Sequence, residues 1–464
     1  MLDTIAGLLP PDPDYPARTS RLALYKRVHD GTLYDALPYE FQDERTAAGE
    51  YIPLRQRRPS VRYPLARIVV DDSISLLFGN GHFPQIDTDD AVLRTTLAAL
   101  TAECRLNATM QEAALRGAIG SVAILLRVLK GRIFLKVLET PYLTPAWQSD
   151  APDTLSTVIE KYKVPGSTLA TMGYPIDDPG GQYWFMRVWD NTAETWFQPW
   201  PITSTEIPRI DPDRSTRHDL GFVPIVWVKN LPGGPDGADG IDGACTFKPA
   251  IETGIEIDYQ LSQAGRGLKY SSDPTLLIRE PAGDANELVR GGGNALVVSE
   301  KGDARLLEIN GTAASAVIEY VRALREMALE GVHGNRSSAD RLSAAQSGRA
   351  LEMMNQGLIL LADNLRVSYG DAILQIARMI IEASNRYPLI THSQPLPKLD
   401  RTARLRLHWP RWYPPDAQDR AAEAQTLATL IAARVLSPET AMRSIADLYS
   451  VQDIALEGER IATA

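Results

Sequence analysis

Asp236, Asp239 and Asp242, in the run LPGGPDGADGIDG (231–243), are the residues nearest to a metal-binding pattern. An EF-hand loop places its first ligands two residues apart and closes on a glutamate. Here the spacing is three and the glutamate is missing, so a solvated linker whose Asp caps the next helix is the favoured reading. Asp71 and Asp72 are adjacent, which on a helix sets them about 100° apart and denies them a shared face for acid–base work. The six histidines stand far apart, none at metal-ligand spacing. No serine sits in a GxSxG setting. No glycine loop ends in Lys-Ser/Thr and no GxGxxG opens a helix, while Gly291 to Gly293 precede a strand-like run and read as a turn. Little here supports an enzyme, and neither a cofactor nor a metal is expected.

The basic and aromatic clusters have two readings each. Arg55, Arg57, Arg58, Arg62 and Arg67 either contact phosphate or form a subunit surface with carboxylate partners, and the second is favoured in an acidic chain. Trp409, Trp412 and Tyr413 with Arg411 resemble a base-stacking patch. Pro410, Pro414 and Pro415 make a rigid turn packed on aromatics the commoner explanation. Trp184, Trp189, Trp196 and Trp200 read as the core of a β region. A net charge of −10 opposes tight, sequence-independent DNA binding, which needs Lys and Arg to displace counterions. It does not oppose handling DNA without gripping it. Cys104 and Cys245 offer no disulfide framework, so a reducing cytosol is expected. The longest apolar run, 118–129, contains Arg127 and is too short for a bilayer. The N-terminus lacks the basic and apolar regions of a signal peptide.

Across 464 residues, 44% hydrophobic and 23% charged, the chain has material for about three domain-sized units or one elongated subunit. Its organising stretch is 245–384. From Ser343 to Ser384 no proline intervenes, and Leu351, Met354, Leu358, Leu361, Leu365, Tyr369, Ile373, Ile376 and Ile380 recur at helical spacing. One helix of roughly 60 Å is predicted, a spine that needs neighbours along its length. Upstream, Ala250, Gly254, Ile257, Leu261, Ala264 and Leu268 mark a first helix. A strand over 274–280 follows, then a hairpin of NALVVSE and ARLLEI with Lys301-Gly302-Asp303 between its arms. A second helix from about Thr312 sets Val317, Val321, Leu324 and Ala328 on one face, with Glu319, Arg322, Glu326 and Glu330 on the other. The polar loop HGNRSSADRLSAAQ leads into the spine.

Earlier, helices are predicted at about 19–29, after Pro64 to Gly79, at 89–105 and at 108–119. Strands are predicted at 121–129 and 132–138 around a Lys130-Gly131 turn, and at 154–164, 182–190 and 193–200. Residues 1–18 form an ordered arm or a loose tail. A strand at 403–408 and short helices from Asp416, one starting at Ser437-Pro438-Glu439, close the chain.

This order of elements resembles the portal, or head-to-tail connector, proteins of tailed bacteriophages. There two stem helices bracket a β-rich clip, and a tunnel loop leads into a long kinked helix. Ser347-Gly348-Arg349-Ala350-Leu351 is similar to the SG-x-AL that opens that helix in the siphophage-type branch. RIVVDDSISLLFGNG (67–81) is similar to the family's early helix ending in LFG, and GFVPIVWVKN (221–230) to its strand before the first stem helix. The likeness covers most of the chain from about residue 20.

The resemblance implies an α+β subunit with wing, stem, clip and crown, assembled into a ring. The wing would span 1–244, the first stem helix 245–272, the clip 273–311, the second stem helix 312–332 and the tunnel loop 333–346. The spine and a wing strand would fill 347–410, and crown helices 411–464. It implies a non-enzymatic homo-oligomer of about twelve subunits at one capsid vertex, assembled in the host cytoplasm, without membrane contact. Its partners would be the terminase large subunit, a head–tail adaptor, major capsid and scaffolding proteins, and double-stranded DNA passing without sequence specificity. Arg336, Ser337, Ser338, Asp340 and Arg341 would face DNA from the tunnel loop, and Glu319, Arg322, Glu326 and Glu330 from the stem. Glu287, Arg290, Lys301 and Asp303 of the clip would meet terminase and adaptor. A minor head protein, lacking this order of elements, and a cytosolic enzyme, with a pocket of converging titratable groups, are the alternatives.

Overall fold

The computed structural model describes residues 1–79, 81–232, 240–272, 275–281, 298–307, 312–335, 352–391, 394–413, 417–449, 451 and 454–463. Several expectations lie outside them: the tunnel-loop residues Arg336, Ser337, Ser338, Asp340 and Arg341, the clip residues Glu287 and Arg290, the Gly291 to Gly293 turn, and Asp236 and Asp239. The chain forms two compact units. Met1–Pro10, Arg27–Ala66 and Pro249–Gly331 make the first; Pro11–Lys26, Arg67–Lys248 and Val332–Ala464 make the second.

In chain order the helices are α1 (Leu2–Gly7), α2 (Ala17–His29), α3 (Leu65–Phe78), α4 (Ala91–Glu103), α5 (Leu106–Gly117), α6 (Gly166–Thr171), α7 (Ile251–Ser272), α8 (Thr312–Gly331), α9 (Gln356–Arg386), α10 (Ala417–Ala432), α11 (Pro438–Ile445) and α12 (Ile454–Thr463). Local chemistry sets several of their ends. Asp90 accepts from the Val92 and Leu93 amides to start α4. Ser437 accepts from the Thr440 amide, with Pro438 in the first helical turn, to start α11.

In the first unit, β1 (Tyr39–Glu40) and β2 (Arg57–Arg58) form a short parallel pair. α7 and α8 pack together, joined through the region that holds the antiparallel β13 (Thr275–Pro281) and β14 (Val298–Leu307). The predicted hairpin with Lys301-Gly302-Asp303 as its turn is not formed. β14 runs straight through those residues and pairs with β13, with Asp303 opposite Arg279. A Lys-Gly-Asp triplet signals a turn only when no partner strand competes for its backbone, and β13 supplies that partner.

The buried side of α7 is also rotated from the predicted one. Ile251, Ile255, Asp258, Tyr259 and Ser262 are buried, whereas Leu268 is exposed. Of the predicted stripe, Ala250 and Ile257 are buried. The apolar pattern misled because two of the buried positions are polar and find hydrogen-bond partners elsewhere in the unit.

In the second unit, strands β4 (Ser121–Leu129), β5 (Arg132–Glu139) and β12 (Ile225–Lys229) form a three-stranded antiparallel sheet in the order β12-β4-β5. Lys130 and Gly131 both take positive φ, 51° and 78°, in the predicted two-residue turn between β4 and β5. A larger antiparallel sheet joins β6 (Leu143–Trp147), β7 (Leu155–Pro165), β8 (Gln182–Trp189), β9 (Ala193–Phe197) and β11 (Ile210–Arg217), with β10 (Trp200–Pro201) beside β8. Trp189 is fully buried with Leu125, Leu143, Val158 and Ile225, and Trp184 is buried as well; Trp196 and Trp200, also expected in the core, are half-buried. Smaller pairs are β3 (Gln85–Asp87) with β17 (Arg406–His408), and β15 (Ile390–Thr391) with β16 (Gln394–Pro395).

Helix α9 packs on β12 and β4. Leu358, Leu361, Leu365, Tyr369, Ile373, Ile376 and Ile380 are all buried, as the periodicity predicts. Tyr369, fully buried, donates to Asn230 Oδ1 at 3.2 Å. The helix is not continuous from Ser343, however. Residues 352–354 are helical, Asn355 is not, and the 31-residue α9, about 46 Å long, starts at Gln356.

Candidate functional site

The α7–α8 pair carries the residues expected to face DNA. Its packing begins at Asp258, a buried carboxylate on α7. Tyr34 Oη donates to Oδ2 at 2.6 Å and the Tyr63 amide to Oδ1 at 2.6 Å. Ser262, one turn on, accepts from the Val61 amide at 3.0 Å, and Tyr259 Oη donates to the Arg57 carbonyl at 2.8 Å. Arg325 of α8 reaches Tyr63 Oη at 2.9 Å. Residues 57–63 are thereby laced to both helices, which fixes how α8 is turned.

Burial pushes the Asp258 carboxyl up to about 6, against the opposing pull of the Tyr34 and Tyr63 hydrogen bonds and the nearby Arg62. A carboxyl raised above its unfolded value stabilises the fold fully below that value, near 3.8, and the contribution is lost as pH rises through about 6. The difference is on the order of 3 kcal/mol. Stability of the wild type relative to Asp258→Asn should therefore fall by about that amount between pH 4 and pH 7. Thermal unfolding of both proteins across this range checks it, and a difference independent of pH would contradict the assignment.

Turned this way, α8 has three faces. Leu324, Ala328 and Leu329 are buried, with Val317 and Val321 half-buried beside them. Glu319, Arg322, Glu326 and Glu330 are exposed. Spacings of seven and eleven residues bring the three glutamates within about 20° of one line on the helix. These are the residues that the sequence sets opposite the apolar face. Reading by apolar and polar sides alone missed a third face. Ala316, Tyr320, Ala323 and Met327 form an exposed apolar stripe next to the acidic row, with Tyr320 48% and Met327 57% exposed. Only the placement of α7 reveals that this stripe has no cover among the described residues of its own unit. At the tip of the pair, Lys301 and Asp303 are exposed on β14, with exposed Arg279 directly across from Asp303.

The other candidates resolve into packing. Asp242 is not a solvated linker residue: it is buried, and Arg18 grips both its oxygens at 3.0 and 2.6 Å. Arg21 and Ser121 complete its shell at 3.1 and 2.6 Å. Buried Arg57 donates to the Phe41 carbonyl and to Tyr51 Oη. Arg58 and Arg62 pair with Glu40 and Asp35, and Arg67 with Asp71. The arginine cluster is thus largely satisfied within the chain. Trp409 stacks on Phe78 at 6.2 Å, and Arg366 lies 4.7 Å from the Trp409 ring centre and 3.2 Å from that of Trp412. Arg411 pairs with Glu423. The packed-turn reading of these aromatics holds. The N-terminal segment is an ordered arm, with Asp12 and Asp14 each 2.6 Å from Lys163 Nζ. Among the described residues no group of His, Cys, Asp or Glu is placed to hold a metal ion, and no helix is long and apolar enough to cross a membrane.

The family model for phage portal proteins of the SPP1 Gp6-like type matches residues 15–464, nearly the whole chain. The chain belongs to that family. As a phage portal protein it is a structural component of the virion rather than an enzyme by family. Among solved structures, this portal protein is similar to a chain from the virion of a native gene transfer agent particle. The two are 11% identical with a TM-score of 0.41, over 82% of this chain and 92% of that one. Comparison with the curated proteins gives no match.

Proposed function

We propose that this portal protein closes into a ring of about twelve copies at one capsid vertex and that DNA passes along its axis during packaging and ejection. One observation supports this reading above the rest: α8 exposes an acidic row and an apolar stripe side by side. In a closed ring the stripe of Ala316, Tyr320, Ala323 and Met327 meets the neighbouring copy. The row of Glu319, Glu326 and Glu330, with Arg322, then faces the axis. Rings of negative charge facing phosphate favour sliding over binding, in keeping with the acidic chain.

In this reading α7 and α8 form the stem, and the β13–β14 ribbon, with Lys301 and Asp303, belongs to the clip that docks terminase and later the adaptor. The C-terminal helices α10 to α12 form the crown, and the 333–346 loop approaches the DNA. Major capsid and scaffolding proteins surround the wing. Native mass spectrometry and electron micrographs of the purified protein test the proposal. Closed rings with a central hole, formed without nucleotide, are expected; only monomers or dimers across a wide concentration range would refute it.

A further inference from the structure

The second unit is layered, and its two outer layers each leave an apolar patch uncovered. Val158 and Trp189 of the larger sheet meet Ala123, Leu125 and Ile225 of the smaller one. The alternate residues of the smaller sheet, Val122, Val226 and Val228, point the other way and are also buried. That side carries α9, which packs on β12 and β4. A Cβ on Gly117 of α5 would meet both Val122 and the Tyr369 hydroxyl of α9. The order is therefore large sheet, small sheet, helix. The far side of the large sheet and the far side of α9 are opposite surfaces of the unit.

On the large sheet, Lys161 pairs with Met186 and Phe197 with Ile210. The pairing of Arg187 with Trp196 brings these four into one row across β7, β8, β9 and β11. They point away from Val158 and Trp189, as do Ile159 and Val188 of the next row. Helix α6 packs on the opposite side of the sheet, where Leu169 meets Tyr183 and Phe185. Tyr15 covers one corner, over Trp184. Elsewhere Met186, Phe197, Ile159 and Val188 are only half-buried, and Ile210 is 57% exposed. Exposed Lys161 lies 4.1 Å from the Trp184 ring centre and has no carboxylate partner among the described residues.

On α9, Leu360, Val367 and Asp371 lie within about 20° of one line, on the side away from buried Leu361, Leu365 and Tyr369. All three are exposed, Val367 by 64%, and exposed Asp363 stands beside them. Asp371 has no cation partner among the described residues.

We propose that the α9 ridge of one copy lies on the outer sheet surface of the next, with Asp371 and Asp363 against Lys161. This deepens the ring reading, on which it rests, by naming where the second units meet. A head-to-tail ring needs two different surfaces on each copy, whereas pairing of like surfaces stops at a dimer. Here the two surfaces lie on opposite sides. One is a ridge and the other a sheet; one carries carboxylates and the other a cation, which fixes the register between them.

Ring assembly followed by native mass spectrometry across a concentration series tests the contact. Lys161→Glu and Asp371→Lys should each raise the concentration for half-assembly by at least about ten-fold. Combined in one chain, they should restore most of it. Both side chains are exposed, so neither change should unfold the unit. In a second measurement, copies with Met186→Cys are mixed with copies carrying Val367→Cys and treated with a short bismaleimide. A cross-linked peptide pair holding positions 186 and 367 is expected, and it can come only from two different copies. Wild-type rings without that cross-link, or with single and double charge variants that assemble alike, overturn this contact and leave the ring reading standing. Wild-type protein that stays monomeric overturns both.

Discussion

In the proposed ring, changing Glu319, Glu326 and Glu330 together to Lys is expected to replace sliding of DNA by holding of DNA. Each subunit then presents three cations, beside Arg322, on one exposed line of α8. Repeated around a ring of about twelve copies, that line engages phosphates and releases their counterions. If about six to ten phosphates are engaged, affinity should drop by about 10³ to 10⁵ between 50 and 200 mM salt. The wild type should show no such binding. Assembly should survive, because the Tyr320 and Met327 stripe and the buried Leu324, Ala328 and Leu329 are untouched. Exposed charge changes of this kind cost little fold stability. Packaging at low salt should slow sharply and recover as salt is raised. Filter binding across a salt series, with packaging assays beside it, would decide. Normal packaging at low salt and no gain in DNA binding would place the glutamates on the outer surface instead.

Replacing Arg18 by Met should destabilise the second unit by about 3 to 5 kcal/mol. Arg18 is buried; besides both Asp242 oxygens it satisfies the Thr140 and Leu143 carbonyls at 3.0 and 2.8 Å. Burial pushes the Asp242 carboxyl up, but the hydrogen bonds and charge of Arg18, with help from Ser121 and Arg21, outweigh it and hold it below its usual value. Without Arg18 that carboxylate stays buried with the Ser121 hydroxyl and, as its remaining cation, the partly exposed Arg21. The cost is that of an uncompensated charge rather than of a lost contact. Arg18→Met with Asp242→Leu should therefore recover a substantial part of the loss, since no charge is then stranded. Denaturant midpoints of the single and double variants measure both effects. A single-variant loss below about 1 kcal/mol would show that water reaches Asp242.

The sequence by itself determined those features that depend on near neighbours in the chain. The buried stripe of α9, the Lys130-Gly131 turn, the Ser437-Pro438 helix start and the polar face of α8 all follow from periodicity or local capping. Each is set within a few residues, where the side chains and the backbone that they stabilise are neighbours. The order of helix, β ribbon, helix and long helix is legible for the same reason, and that order carries much of the likeness to portal proteins.

Tertiary structure decided whatever depends on partners far along the chain. Asp258 and Ser262 lie on the buried face of α7 because residues 61–63 and Tyr34, about 200 residues away, bring the hydrogen bonds that make burial tolerable. Asp242 left its linker for the core because Arg18 was waiting 224 residues upstream. β14 ran through a turn-like triplet because β13 offered a ladder. The apolar stripe of α8 is visible only once α7 has covered a different side. At Asn355 periodicity asks for a continuous helix, and the chain departs from it, with φ −102° and ψ 16°. A polar group's burial is set by where its partner comes to lie, and spacing along the chain carries no record of that.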